Sequence, residues 1–287
     1  MNAYKETKDI LKKYNITASK KLGQNFLIDD DVIEAIISAS QVIESDLVIE
    51  IGPGLGTLTS RLLDKAGKVI AIELDTRMVS ILNDRFKFYD NFELINEDVL
   101  KVDLNKLIKE NKFGKISCAK IVANLPYYIT TPIIMKLLED RLDIDSITVM
   151  VQKEVADRLV DVPGGKNSGA ITYSINYYTS PSKVIDVPNT SFVPAPEVNS
   201  SVIKLDVLDK PSIKVIDEEM LFRVIKLAFM QKRKTLLNGL TNGNLASKEK
   251  IEEMLIELGF DLKIRGEKLN LKDFAKIADY VSQKLTK

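Results

Sequence analysis

Five short apolar runs alternate with helical segments between residues 47 and 151, and this alternation restricts the fold more than any other feature of the sequence. The runs predict strands at Leu47–Ile51, Lys68–Glu73, Phe92–Asn96, Lys120–Ala123 and Ser146–Val151. The intervening segments predict helices at Thr57–Lys65, Thr76–Phe86, Leu104–Glu110 and Pro132–Glu139. Strands that alternate with helices in this way are typical of an α/β fold with a doubly wound parallel sheet and buried central strands.

The pattern changes toward the end of the chain. Two further strand candidates, Lys183–Val187 and Ser201–Val207, have no helix between them, so we predict an antiparallel hairpin at one edge of the sheet. Beyond Pro211 the strand signal disappears, and helices are predicted at Glu218–Met230, Lys248–Leu258 and Leu271–Lys284. We therefore predict an α/β domain at 1–210, which begins with a short basic helix, and a small all-helical domain at 211–287.

Composition excludes several kinds of chemistry. The 287 residues include no histidine and only one cysteine, Cys118, so Ser-His and Cys-His catalysis, an intrachain disulfide and the usual zinc sites are excluded. No apolar run reaches the roughly 20 residues of a membrane span, and the first residues lack a secretory signal. We therefore expect a cytoplasmic protein without a membrane segment or a metal.

A glycine-rich loop follows the first predicted strand. Glu50–Gly56 has the spacing G-x-G-x-G, in which Gly52 and Gly54 let the backbone approach a ligand. A dinucleotide fingerprint would place its third glycine at position 57, which is Thr57. This departure argues against an NAD-dependent dehydrogenase, which would also need a proton donor such as the absent histidine.

Two acidic residues follow the next strands. Glu73 ends the second strand, where a carboxylate can accept hydrogen bonds from ribose hydroxyls, and Asp98 follows the third, where it can accept from an adenine amino group. Either residue alone could be a solvated loop residue or a helix cap. Together with the glycine loop, they predict a nucleoside-containing cofactor at the carboxyl edge of the sheet.

The tetrapeptide Asn124-Leu125-Pro126-Tyr127 follows the fourth predicted strand. The amino nitrogen of adenine is a poor nucleophile because its lone pair is delocalised into the ring. The Asn124 side-chain oxygen and the Leu125 carbonyl can accept its two hydrogens, while Pro126 favours an extended backbone at Leu125. Tyr127 offers a ring for stacking of the base. These features predict methylation of an adenine amino group, although a turn that contains proline is the alternative for this segment in isolation.

Taken over nearly the whole chain, these motifs closely resemble the ribosomal RNA adenine N6,N6-dimethyltransferase family, whose fold is the Rossmann-like class I methyltransferase sheet. Gln24-Asn25-Phe26-Leu27 is similar to the leading cofactor motif of the family, and Phe192–Ser200 is similar to its F-x-P-x-P-x-V-x-S signature. The resemblance implies that Phe192 is a second aromatic against the flipped base. It also implies that S-adenosylmethionine, which leaves as S-adenosylhomocysteine, is held by Asn25, Leu27, Gly52, Gly54, Glu73, Asp98 and Asn124.

The resemblance further implies the substrate. Two methyl groups would go to each of two adjacent adenosines near the 3′ end of 16S rRNA in the small (30S) ribosomal subunit, with a role in subunit biogenesis and a monomeric enzyme. The family motif most often has asparagine after the tyrosine, and this chain has Tyr128 at that position instead.

The motifs are also compatible with two alternative functions. One is a resistance methyltransferase of large-subunit rRNA, and the other is a non-catalytic RNA-binding or assembly factor. The segment Leu221–Leu236 resembles the small-subunit enzymes, and the intact Asn124 and glycine loop argue against the non-catalytic factor. The net charge is zero, so phosphate binding would depend on local basic clusters. These clusters, which could equally be solvated helix faces, are Lys5, Lys8, Lys12, Lys13, Lys20 and Lys21 near the amino terminus and the run Lys232-Arg233-Lys234.

Overall fold

The computed structural model describes residues 2–19, 22–231 and 233–285. The strands in these residues are β1 Phe26–Leu27, β2 Asp46–Ile51, β3 Lys68–Glu73, β4 Phe92–Asn96, β5 Cys118–Asn124, β6 Ser146–Gln152, β7 Thr179–Val187, β8 Phe192–Val193 and β9 Ser200–Val207. Seven of them form one sheet in the order β4-β3-β2-β5-β6-β9-β7, while β1 and β8 form a separate pair. The prediction of a Rossmann-like sheet is confirmed.

The order of the strands places a ligand site between β2 and β5. β2 pairs in parallel with both β3 and β5, β3 pairs with β4, and β5 pairs with β6. The chain runs outward from β2 to β4 and then returns to β5, so the direction of winding reverses between β2 and β5. In open α/β sheets, ligands bind at such a switch point, at the carboxyl ends of the strands.

The two strands of the predicted hairpin, β7 and β9, lie at the end of the strand order opposite to β4. β9 runs antiparallel to β6, from Ser146 paired with Asp206 to Gln152 paired with Ser200. β7 lies beyond β9 at the edge of the sheet. β2 and β6 are buried almost throughout, which explains why their sequences are apolar runs rather than alternating patterns.

Short polar residues begin the helices that surround the parallel strands. Asp29, Asp75 and Asp103 each accept a hydrogen bond from a backbone N–H of the first helical turn, which satisfies donors that have no partner inside the helix. The helices of this region are α1 Ala3–Lys13, α2 Asp30–Ser40, α3 Thr57–Leu63, α4 Thr76–Phe86, α5 Leu104–Asn111, α6 Thr130–Glu139 and α7 Lys153–Leu159.

The β1–β8 pair was not predicted. Leu27 pairs with Phe192 and Phe26 with Val193, in antiparallel orientation. Two residues are too few to show a period of two, so only the tertiary contact reveals these strands. The pair joins the segment predicted as the leading cofactor motif to the proline-rich segment.

The chain divides into two compact units, and their boundaries differ from the predicted cut after residue 210. One unit comprises the residues up to Ala156 and Pro181–Val207, and the other comprises Asp157–Ser180 and the residues from Leu208 onward. The segment Asp157–Ser180 belongs to the helical unit because Tyr173 and Tyr177 are buried in the apolar core of that unit. The Tyr173 hydroxyl also donates to the Leu269 carbonyl at 2.6 Å.

The helical unit contains five complete α-helices in its described residues: α8 Ala170–Tyr178, α9 Glu218–Met230, α10 Leu236–Asn242, α11 Lys248–Glu257 and α12 Leu271–Tyr280. The sequence did not predict α10, a seven-residue helix that Thr235 caps and that contains Gly239. A π-helical turn at Val281–Leu285 continues from α12. Over the part of the chain that the structure describes, no helix is long and apolar enough to cross a membrane.

Candidate active site

A cleft lies at the carboxyl edge of the parallel strands, lined by residues that follow β2, β3, β4 and β5 and by the segment around β1. Of the predicted site residues, it brings together Asn25, Leu27, Gly52, Gly54, Glu73, Asp98, Asn124, Leu125, Pro126 and Tyr127. These residues are widely separated in the chain. Most of them meet because they lie at or beside the carboxyl ends of strands of one sheet, whereas Asn25 and Leu27 come from β1, which pairs with β8.

The glycine loop turns sharply at the end of β2. Gly52 and Gly54 have φ angles of 67° and 57°, in the left-handed region that favours glycine. The Gly52 N–H donates to the Ile72 carbonyl at 3.0 Å, and the Gly54 N–H donates to Glu73 Oε2 at 3.2 Å. The loop is therefore held against the end of β3, with its backbone exposed to the cleft.

Two buried carboxyl groups line the floor of the cleft. Glu73 is 7% exposed, and its Oε1 accepts a hydrogen bond from the Asp75 N–H at 2.8 Å. Burial raises the pKa of Glu73. Glu50 is 2% exposed, and burial together with the nearby Glu73 raises its pKa to about 8. The site therefore holds carboxyl groups that lack the hydration they would have in water.

Further polar contacts fix the rim of the cleft. Asp98 Oδ1 accepts a hydrogen bond from the Leu100 N–H at 3.0 Å, so the carboxylate caps the turn that follows β4. Gln24 Nε2 donates to Asp75 Oδ2 at 2.8 Å, and Gln24 Oε1 accepts from the Ser19 N–H at 2.9 Å. These two bonds hold the segment that precedes β1 beside the start of α4.

The tetrapeptide presents two acceptors. Asn124 Nδ2 donates to the Asn25 carbonyl at 3.4 Å, and within the described ranges Oδ1 accepts no hydrogen bond. The Leu125 N–H donates to the Met150 carbonyl at 3.1 Å. The Pro126 carbonyl accepts from the Ile129 N–H at 3.2 Å and is therefore part of the turn. Among the described residues, no hydrogen bond to the Leu125 carbonyl is found.

Of the two aromatic residues predicted to contact the base, only Tyr127 lies in the cleft. Its hydroxyl lies 2.7 Å from Ser200 Oγ, which fixes the position of the ring, and burial raises its pKa. Phe192 does not line the cleft: it is 3% exposed and lies in the apolar core of the α/β unit, paired with Leu27. The structure therefore does not place Phe192 beside a base, and its predicted role stays a prediction.

The charged side chains that line the cleft are all acidic. Glu50, Glu73, Glu97 and Asp98 lie there, and none of the described lining residues is a lysine or an arginine. Such a lining favours a ligand with positive charge and hydroxyl donors. No group of three or more acidic or cysteine side chains is placed to hold a metal ion in the described ranges. The absence of a metal from the protein stays a prediction.

Sequence reasoning gave no role in the site to the lining residues Gln24, Tyr128 and Glu50. Gln24 contacts Asp75, which is 51 residues away, so no local pattern could reveal the contact. Tyr128 lines the mouth of the cleft and is 58% exposed. Glu50 is part of the glycine motif, but its complete burial depends on how the sheet is covered.

Comparison with known proteins gives three consistent results. Residues 15–283 match the family described as Ribosomal RNA adenine dimethylase. The chain is 49% identical to the Ribosomal RNA small subunit methyltransferase A of Lachnoclostridium phytofermentans, over 98% of this chain and 97% of the relative.

Two solved structures share its fold. One is a dimethyladenosine transferase from Plasmodium falciparum, with a TM-score of 0.73 and 29% identity over 88% of this chain and 95% of that one. The other is the 23S rRNA methyltransferase ErmE, with a TM-score of 0.68 and 23% identity over 90% of this chain and all of that one.

Proposed function

The chain belongs to the ribosomal RNA adenine dimethylase family, and we propose that it transfers methyl groups from S-adenosylmethionine to N6 of two adjacent adenosines near the 3′ end of 16S rRNA. The observation that carries this proposal is the placement of Asn124, whose free Oδ1 lies at the end of β5 in a cleft with a glycine loop and acidic walls. The small subunit is the favoured substrate because the relative at 49% identity carries that name.

The residues of the cleft fit S-adenosylmethionine. Glu73 can accept hydrogen bonds from ribose hydroxyls, and Asp98 can accept from the adenine amino group of the cofactor. Gly52 and Gly54 allow close approach of the backbone, while Asn25 and Leu27 close the cleft from the β1 side. When bound, the cofactor supplies a positively charged sulfonium whose methyl group is transferred, and this charge suits an acidic lining.

The chain's own residues would act on the target adenine. Asn124 Oδ1 and the Leu125 carbonyl accept the two amino hydrogens, which draws the nitrogen toward a tetrahedral shape and directs its lone pair away from the ring. Tyr127 stacks on the base, with its ring fixed by the contact with Ser200. Positioning of the nitrogen in line with the methyl group supplies much of the rate.

No protein base is required for the proton that is lost. Once methylated, the nitrogen is acidic and can release a proton to water, which suits a chain without histidine. Monomethyladenine has one amino hydrogen, so in the second transfer one of the two acceptors, Asn124 Oδ1 or the Leu125 carbonyl, has no partner.

RNA binding would come from surfaces outside the acidic cleft, because the lining repels phosphate. Lys5, Lys8 and Lys12 are exposed on α1, and Arg233 and Lys234 are exposed after α9. Lys20, Lys21 and Lys232 of the predicted basic clusters lie outside the described residues. We further infer that the protein acts as a monomer in the cytoplasm, where small subunits are assembled, and that it has a role in subunit biogenesis.

The test is methyl incorporation with mapping of the modified nucleotides. With labelled S-adenosylmethionine and small subunits that lack the modification, label is expected on two adjacent adenosines. Asn124→Ala should lower the transfer rate by a hundredfold or more, on the order of the effect of losing one preorganised hydrogen bond in an active site, with cofactor binding still measurable. Asn105→Ala, which removes an exposed asparagine elsewhere in the unit, is the control. Incorporation only into large-subunit RNA would overturn the substrate, and an active Asn124→Ala variant would overturn the acceptor mechanism.

A further inference from the structure

Tyr128 has no role in the mechanism above, yet it lies directly beside the residues that carry it. Its neighbour Tyr127 is partly buried and fixed through Ser200, whereas Tyr128 is 58% exposed at the mouth of the cleft. Among the described residues, no hydrogen-bond partner is recorded for the Tyr128 hydroxyl. A large aromatic ring is thus held at the entrance without a polar contact that explains its position.

Gly23 supports one side of this ring. A Cβ atom added to Gly23 would lie 3.4 Å from Cδ1 and 3.7 Å from Cε1 of Tyr128, so the ring contacts the backbone of the loop that precedes β1. Gly23 has a φ angle of 60°, which disfavours any other residue there. The Cδ1–Cε1 edge of the ring therefore lies next to Gly23, while more than half of the residue is exposed among the described residues.

An exposed aromatic ring can bind a base by stacking. Such a ring beside a site that extracts one base from its stack could therefore bind a second base. Extraction of one adenine deprives the adjacent nucleotide of a stacking partner, and stacking on an aromatic side chain contributes about five- to a hundredfold in affinity per base. Resting on the proposed function, we propose that Tyr128 stacks on the adenine adjacent to the one that occupies the pocket. Stacking uses no amino hydrogen, so this platform accepts the neighbouring adenine both before and after it has been dimethylated.

The first experiment compares three variants on small subunits that lack the modification. Tyr128→Ala should lower kcat/KM about tenfold, Tyr128→Phe should stay within about twofold because the hydroxyl makes no contact, and the affinity for S-adenosylhomocysteine should not change. Phe113→Ala is the matched control, since Phe113 is a 70% exposed aromatic of the same unit outside the cleft. Equal losses of cofactor affinity and kcat/KM in Tyr128→Ala would assign Tyr128 to holding the Gly23 loop and overturn the proposal.

The second experiment changes the neighbouring base. Small subunits with an abasic nucleotide in place of one of the two adenosines present no stacking partner, so the effect of Tyr128→Ala on the remaining adenosine should shrink to about twofold. An undiminished tenfold effect on these subunits would overturn the proposal that Tyr128 stacks on the neighbouring adenine. Failure of the proposed function is distinguishable, because the unchanged protein would then not methylate small subunits at all.

Discussion

Both ends of the parallel sheet bury carboxyl groups, but the described residues give Glu50 and Glu73 at the carboxyl end no cationic partner of the kind that Asp46 has at the amino end. There Asp46, which is 1% exposed, accepts from Lys120 Nζ at 2.7 Å and from the Ile43 N–H at 2.8 Å. Lys120 Nζ also donates to the Gln41 carbonyl at 2.6 Å. At the carboxyl end, Glu50 and Glu73 are buried in a cleft whose described lining contains no lysine or arginine.

We interpret the difference as one between a charged pair that stabilises the fold and carboxyl groups of the proposed cofactor site. A buried carboxylate without a cation is costly, and the raised pKa values of Glu50 and Glu73 express that cost. The sheet tolerates it at the edge where a cationic ligand can enter. At the amino end the buried Asp46 has Lys120 as its cationic partner.

The largest effect is expected at the amino end. Lys120→Met leaves the buried Asp46 carboxylate without its cation, so the free energy of unfolding should fall by about 3–5 kcal/mol. Urea or thermal unfolding measures this change. At temperatures where the variant stays folded, methyl transfer should proceed at the rate of the unchanged protein, since Lys120 lies far along β5 from Asn124.

Two variants test the cause of this loss. Lys112→Met removes a lysine that pairs with Asp143 at 2.7 Å on the surface, where Asp143 is 78% exposed, and it should cost less than about 1 kcal/mol. The double variant Asp46→Asn/Lys120→Met, which buries no charge, should recover part of the stability. An unchanged unfolding midpoint for Lys120→Met would remove the contrast between the two ends.

The sequence predicts the sheet well because its physical signal is local. β4 and β3 have the predicted bounds, and β2 begins only one residue earlier, at Asp46. Features that depend on distant contacts were missed. The β1–β8 pair is too short to have a period. The helix at Ala170–Tyr178 is predicted by its sequence, but its place in the helical unit depends on where Tyr173 and Tyr177 are buried. The predicted domain boundary was placed where the last strand ends, and this criterion could not assign Asp157–Ser180 to the helical unit.

The same distinction applies to the site. Glu73, Asp98 and Asn124 could be predicted because the ends of parallel strands meet at one edge, whatever the details of packing. The burial of Phe192 and the exposure of Tyr128 depend on how two loops pack against each other. A motif gives residue identity and chain position, but the direction of an aromatic side chain is set by its tertiary neighbours.

Glu50 should make the free energy of unfolding fall as the pH rises, whereas a carboxylate that is paired with a cation makes it rise. Its folded pKa of about 8 lies above the unfolded value of 4.5, so the folded state binds the extra proton between these values. Stability is therefore greatest at the acidic end of this window and falls as the pH rises, by on the order of 3 kcal/mol between about pH 5 and pH 8. Glu73 contributes in the same direction.

Urea unfolding across this range, with Glu50→Gln for comparison, checks the assignment. Glutamine has nearly the same shape and does not titrate, so the variant should show a flatter dependence of stability on pH. Glu44→Gln makes the same chemical change at an exposed position near the amino end of β2 and should keep the slope of the unchanged protein. Parallel pH profiles for Glu50→Gln and the unchanged protein would mean that Glu50 is ionised in the folded state.

The smallest effect is expected for Glu73→Gln, and it should appear in binding rather than in stability. The substitution keeps one side-chain oxygen but removes the charge, so hydrogen bonds to ribose hydroxyls lose about 1.5 kcal/mol, or roughly tenfold in affinity for S-adenosylhomocysteine. Titration calorimetry measures this loss, with Glu44→Gln as the control at the opposite end of the sheet. Removal of a charge that burial disfavours offsets the loss of one of the two backbone N–H donors, Gly54 or Asp75, so the unfolding midpoint at neutral pH should change little. A variant that unfolds earlier but binds S-adenosylhomocysteine normally would show that Glu73 serves the fold, as Lys120 does, and the two ends of the sheet would then be alike.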